Sequence, residues 1–179
     1  VRAWNDAQNR HTRAALDRFP GAAALRERVR ELLSDRAPRY FDLRHRRGAL
    51  FARKAQPPRE QPVLVWLRGP DDPASEVVLV DPVQIDPRGT TTIDFYVPSP
   101  DGSRVAVSLS EGGTEDGTVH VYDVASRRQL PDVIPRVHGG TAGGDLAWSA
   151  DGSGFYYTRY PREGERPTKD LAFYQQVYY

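Results

Sequence analysis

The chain has 179 residues, 39% hydrophobic and 27% charged, which bounds it to one or two globular domains. It contains no cysteine and no methionine, which excludes a disulfide framework and a thiolate metal site. No apolar run approaches the roughly 18–20 residues that span a bilayer. Net charge is +1, but residues 1–60 hold 15 Lys+Arg against 7 Asp+Glu, a balance of +8, and the remainder carries −7. A basic third can mark a nucleic-acid face. Here the arginines are scattered and lack an aromatic stacking platform, so no nucleic-acid partner and no membrane partner are expected. A chain opening on Val1 without methionine is expected to be a processed or truncated product. The cytoplasm is the expected compartment, with the periplasm as the alternative.

Helices come first. Val1, Trp4, Ala7, His11 and Ala14 or Ala15 fall on one stripe at the helical period. Phe19-Pro20-Gly21 interrupts that stripe, because Pro and Gly both punctuate helices. A second helix follows in GAAALRERVRELLS, with Leu25, Val29, Leu32 and Leu33 on one face. Ser34-Asp35 with Pro38 is expected to close it.

From Tyr40 onward the pattern is strands and turns. Arg39–Leu43 and Ala49–Arg53 flank a turn around Arg46-Arg47-Gly48, and Val63–Leu67 and Val77–Val80 are further short apolar runs. Short β-rich runs without intervening helical periods predict antiparallel all-β structure. A clearer unit begins at Ile93–Val97, turns at Ser99-Pro100-Asp101-Gly102-Ser103 and continues through Val105–Leu109, Val119–Val124 and Gln129–Pro131. Four such pieces in roughly 45 residues match one propeller blade. A third pass opens on Leu146-Ala147-Trp148, repeats the Asp-Gly-Ser turn at Asp151-Gly152-Ser153 and runs on through Phe155–Arg159 to Gln176–Tyr179. Two units and part of a third are expected. Such units need neighbours to bury their faces, so the segment by itself is not expected to be stable.

Candidate chemistry is sparse. No serine has glycine at both minus two and plus two, as a nucleophile elbow requires. Ser153 lies between Gly152 and Gly154, but its second neighbours are Asp151 and Phe155, which fits a turn residue. Asp-Gly favours hairpin turns because both residues tolerate positive φ. His11, His45, His120 and His138 lack paired ligand spacing; they are expected as two helix or turn residues, one strand residue and one loop residue. The glycine-rich run His138–Gly144 lacks the Gly-Lys-Ser/Thr end of a phosphate loop. Trp66, Tyr96, Tyr122, Trp148, Phe155, Tyr156 and Tyr157 are expected to pack between strands. No catalytic residue, metal ligand or cofactor is assigned to this chain.

Trp4-Asn5-Asp6-Ala7-Gln8-Asn9 with Thr12 and Leu16 resembles the opening helix of the prolyl oligopeptidase family. Ser99–Gly102, Val121–Val124 and Leu130–Asp132 are similar to that family's first propeller segments, and Trp148–Pro161 with Tyr174–Tyr179 to its next blade. The resemblance implies a mainly β fold, in which N-terminal helices precede the first blades of a seven-bladed β-propeller. That propeller is incomplete here, and the α/β-hydrolase domain is absent from this chain. Residues 1–37 are then the helical segment that packs on the hydrolase domain, and residues 38–179 are two blades and part of a third. The implied activity is a serine endopeptidase cleaving short proline-containing peptides after proline, with the propeller gating access. The resemblance also places Gly143 at the substrate-cavity rim, where the family can offer an apolar contact. The competing expectation is a non-enzymatic propeller used as a protein-interaction platform, because one fold carries many functions.

Overall fold

The computed structural model describes residues 1–33, 37–139 and 143–179. The expected helix closure at Ser34-Asp35 lies outside the described residues. The chain divides into two compact units, Val1–Ala37 and Pro38–Tyr179. In the first, α1 (Arg2–Asp17) and α2 (Ala22–Leu33) join through Gly21, whose φ of 87° suits a residue without a Cβ. Arg26 reaches Asp17 at 3.4 Å across that turn. The apolar stripes are exposed, with Trp4, Leu16, Leu25 and Leu32 all more than half accessible.

The second unit contains three antiparallel meanders. The first sheet is β1 (Arg39–Arg46), β2 (Ala49–Ala55), β3 (Val63–Leu67) and β4 (Val77–Val80) in that order. The second is β5 (Thr91–Pro98), β6 (Arg104–Glu111), β7 (Thr118–Asp123) and β8 (Gln129–Pro135). The third is β9 (Leu146–Trp148), β10 (Phe155–Arg159) and β11 (Gln176–Tyr178). Two prolines sit on β8, where an edge strand tolerates the missing donor. His45, expected in a helix or turn, belongs to β1 and pairs with Leu50.

Alternation along the strands builds the core between sheets. Phe51 and Leu64 of the first sheet meet Tyr96, Val105 and Val107 of the second. On the opposite face of the second sheet, Ala106 and Val119 meet Leu146, with Trp148 and Phe155 packed beside them. Strand β6 is buried from Val105 through Ser110, as a strand covered on both faces must be. The first strands of the sheets stand next to one another. The Tyr96 hydroxyl on β5 donates to the Asp42 carbonyl on β1, and Trp148 Nε1 on β9 donates to the Val97 carbonyl on β5 at 2.9 Å. Tyr156 departs from the expected packing; it is 53% exposed and rests on Tyr179 at 4.9 Å.

The repeated Asp-Gly-Ser turns are structural copies. Ser99 N bonds Arg104 O and Gly102 N bonds Ser99 O; Ser149 N bonds Gly154 O and Gly152 N bonds Ser149 O, all at 2.9 Å. Ser99 Oγ donates to Asp101 Oδ1 at 2.6 Å, and Ser149 Oγ to Asp151 Oδ1 at 2.7 Å. The same aspartate oxygen accepts from Ser103 N at 3.1 Å or Ser153 N at 3.0 Å. Within these turns Gly102 and Gly152 take positive φ, at 74° and 72°, while the aspartates do not. The reason is that the aspartate occupies the third position of a type I turn, which needs negative φ. Consecutive positive φ values occur instead at Arg47 (40°) and Gly48 (79°), in the two-residue β1–β2 hairpin.

Two consequences can be measured. Trp148→Phe keeps the ring contact but orphans the Val97 carbonyl, and should cost about 1 kcal/mol in urea unfolding of the full-length protein. Donation from Ser99 and Ser149, followed by the Ser103 and Ser153 groups, lowers Asp101 and Asp151 to about 2. An unfolded aspartate titrates near about 4. The turns therefore contribute fully above about pH 4 and lose that contribution as pH falls through about 2. Amide hydrogen exchange at Ser153 should accelerate across that window, and Asp151→Asn should abolish the acid dependence.

Candidate functional site

Because each sheet is a sequential meander and the first strands align, its connections segregate to two ends. Short turns, including Ser99–Ser103 and Ser149–Ser153, occupy one end. The β2–β3, β4–β5, β6–β7, β8–β9 and β10–β11 connections occupy the other. A groove of about 350 Å³ beside Trp148, Ser153 and Tyr179 lies at the turn end. Gly143 lies at the connection end.

Gly143 has a φ of 78°, and its carbonyl accepts from Thr158 Oγ1 at 3.4 Å. The same hydroxyl accepts from Asp145 N at 2.9 Å, tying the entry of β9 to β10. A side chain at Gly143 would meet Gln175 Oε1 at 3.4 Å. Next to it, any Cβ at Gly144 would overlap the His138 carbonyl. The connection therefore leaves at His138 and returns against it. Gly140, Thr141 and Ala142 of the glycine-rich run lie outside the described residues.

The groups around this return are polar. His138 Nε2 stands 2.7 Å from Asp116 Oδ1 without hydrogen-bond geometry, and its ring packs on Tyr160 at 4.6 Å. Arg136 Nη1 lies 3.9 Å from Asp116 Oδ2, while Arg136 Nη2 donates to the Leu171 carbonyl at 2.6 Å. Beneath them, Ser108 and Ser110 donate to the two oxygens of Asp94 at 3.0 and 2.6 Å. Gly117 must lack a side chain here, since a Cβ would press on Ser108 Oγ and the Val137 carbonyl. Across the first sheet, burial lowers the pKa of Arg53, opposed by the charges of Asp42 and Asp94.

The long β10–β11 connection is fastened rather than loose. Glu165 accepts from Arg159 Nη1 at 2.7 Å and Nη2 at 2.9 Å, and from Arg162 N at 2.8 Å. The Arg159 guanidinium first, then the Arg162 amide, bring the Glu165 carboxyl down to about 2. The same guanidinium lies 4.0 Å over the Tyr178 ring.

These residues position loops; they do not form a nucleophile with a base. Ser153 Oγ donates to Asp151 at 2.8 Å, as a turn residue. His11 lies on α1, His45 on β1, His120 on β7 and His138 in the β8–β9 connection. Burial lowers the pKa of His120 and favours its neutral form. Among the described residues, no three His, Asp or Glu side chains are grouped as a metal ion requires. No described helix is long and apolar enough to cross a membrane. Asp94, Asp116, Arg136 and Tyr160 carry no motif that marks them in the sequence. The only local sign of them was a charged residue beside a glycine-rich connection.

Three comparisons bear on this arrangement. The family model for the prolyl oligopeptidase N-terminal β-propeller domain matches residues 1–179. The prolyl endopeptidase of Elizabethkingia meningoseptica is 30% identical over 89 residues, which is 49% of this chain and 12% of that protein. That of Elizabethkingia miricola is 28% identical over the same length. A solved prolyl endopeptidase, described for the role of inter-domain dynamics in catalysis and specificity, superposes with a TM-score of 0.79 at 30% identity. The superposition covers 99% of this chain and 25% of that one. Prolyl oligopeptidase B of Galerina marginata, bound to a 35mer hydrolysis and macrocyclization substrate, gives a TM-score of 0.75 at 23% identity. It covers 94% of this chain and 25% of that one, a likeness of fold alone. The chain thus spans about a quarter of the solved relatives' length. With the helical opening, the sequential four-stranded sheets and a family match along its whole length, this chain belongs to the prolyl oligopeptidase family, as its N-terminal β-propeller region.

Proposed function

We propose that this chain supplies the opening helices and first blades of a serine endopeptidase that cleaves short peptides after proline, the propeller gating entry to the active-site cavity. The observation that carries this reading is the collinear likeness to a prolyl endopeptidase, 30% identical across 99% of the chain. Acyl transfer then belongs to an α/β-hydrolase domain outside this segment. There a serine attacks the proline carbonyl, histidine takes the serine proton and passes it to the leaving amine, aspartate orients the histidine, and backbone amides hold the oxyanion. The segment 1–37 packs its exposed stripe on that domain; exposure of Trp4, Leu16, Leu25 and Leu32 supports this role. Residues 38–179 form two blades and part of a third, and Gly143 stands on the cavity rim.

Full-length protein should hydrolyse a fluorogenic Gly-Pro peptide and be labelled by an active-site serine probe, while this segment alone does neither. Absence of both from the full-length protein overturns the peptidase reading and leaves the interaction platform. Ser153→Ala should leave turnover intact. Gly143→Phe forces a side chain onto positive φ beside Gln175, at about 1 kcal/mol or more. It should change KM for peptides; an unchanged KM removes Gly143 from the rim.

A further inference from the structure

We propose that His138 is a positioning residue for the substrate rim, resting on the peptidase reading above: it pins the point where the connection carrying Gly143 leaves the second sheet and returns. Three observations support this. The ring is held from two sides, by Asp116 of the β6–β7 connection at 2.7 Å and by Tyr160 of the β10–β11 connection at 4.6 Å. The returning backbone at Gly144 lies directly on the His138 carbonyl, so displacement of His138 moves both ends of the connection. The third concerns the neighbouring sheet, which joins the equivalent two connections through a side-chain pair with the acidic partner on the other connection. There Arg59 of the β2–β3 connection pairs with Asp81, at the start of the β4–β5 connection, at 2.6 Å.

The two pairs occupy equivalent places, each joining a middle connection of a sheet to the segment that crosses to the next sheet. In the first sheet that segment opens with α3 (Pro82–Ile85), capped by Asp81, whose Oδ1 accepts from Val83 N at 3.1 Å. In the second it is the glycine-rich run, which has no helix to stiffen its described ends. The side-chain pin takes over the task that the capped helix performs in the first sheet. Arg136 supports the pin from the adjacent position, linking Asp116 to the Leu171 carbonyl. Three connections thereby share one polar node at the His138 carbonyl on which Gly144 returns.

The test uses full-length protein and peptide substrates. His138→Ala should raise KM on the order of tenfold, since small displacements of positioning groups are costly, while kcat stays within about twofold. Asp116→Asn should act in the same direction. The double variant should be no worse than the stronger single one, because both remove one interaction. His138→Gln, which keeps a donor near Asp116, should recover part of the loss. Hydrogen exchange across residues 136–146 should accelerate in His138→Ala with the melting temperature unchanged. An unmoved KM with unchanged exchange overturns the proposal, as does an equal fall in kcat and kcat/KM. If the wild type shows no hydrolysis, the peptidase reading fails, and the exchange measurement alone decides whether His138 pins the connection.

Discussion

Everything in the larger unit depends on one sheet burying its face against the next. A four-stranded meander has two faces and no internal means of covering either. The second sheet solves this twice, through Tyr96, Val105 and Val107 toward the first sheet and Ala106 and Val119 toward the third. At roughly 1.5–3 kcal/mol for each large apolar side chain buried, these contacts outweigh any single turn or ion pair. Strand β6 records the consequence, being buried from Val105 to Ser110. Its two serines are tolerated there because Asp94 accepts from both.

The same stacking gives the two ends of the sheets different physical characters. At one end, Ser99–Ser103 and Ser149–Ser153 satisfy their polar groups within five residues, so each turn is self-sufficient. At the other, the connections rely on partners far away in sequence. Asp116 meets His138 and Arg136, Arg136 reaches Leu171, and Arg59 reaches Asp81. Rigid scaffolds commonly carry their functional groups on such connections. The rim proposed near Gly143 lies on one of these connections, and the Asp-Gly-Ser turns hold the opposite end of the sheets.

Legibility in the sequence followed this division. The Asp-Gly-Ser turns, the alternating Val105–Leu109 strand and the helices beginning at Arg2 and Ala22 were readable, since their determinants lie within a few residues. The turns at Asp101 and Asp151 were legible, but which of Asp and Gly takes positive φ depends on the serine and aspartate side chains that close them. His45 was taken from a turn neighbourhood into β1, where pairing with Leu50 decides its conformation. Helix α3 escaped notice because four residues capped by Asp81 show no period.

The sequence by itself determined the repeat, the fold class and the family, because each rests on local pattern or on collinear motifs. It also determined that no serine here sits in a nucleophile elbow. Tertiary structure alone decided which residues gather where the β8–β9 connection leaves the second sheet. Asp116 and His138 are 22 positions apart, and His138 and Tyr160 likewise. They meet because the second sheet turns its connection toward the third, and only that packing of one apolar face on another brings the three side chains to one place.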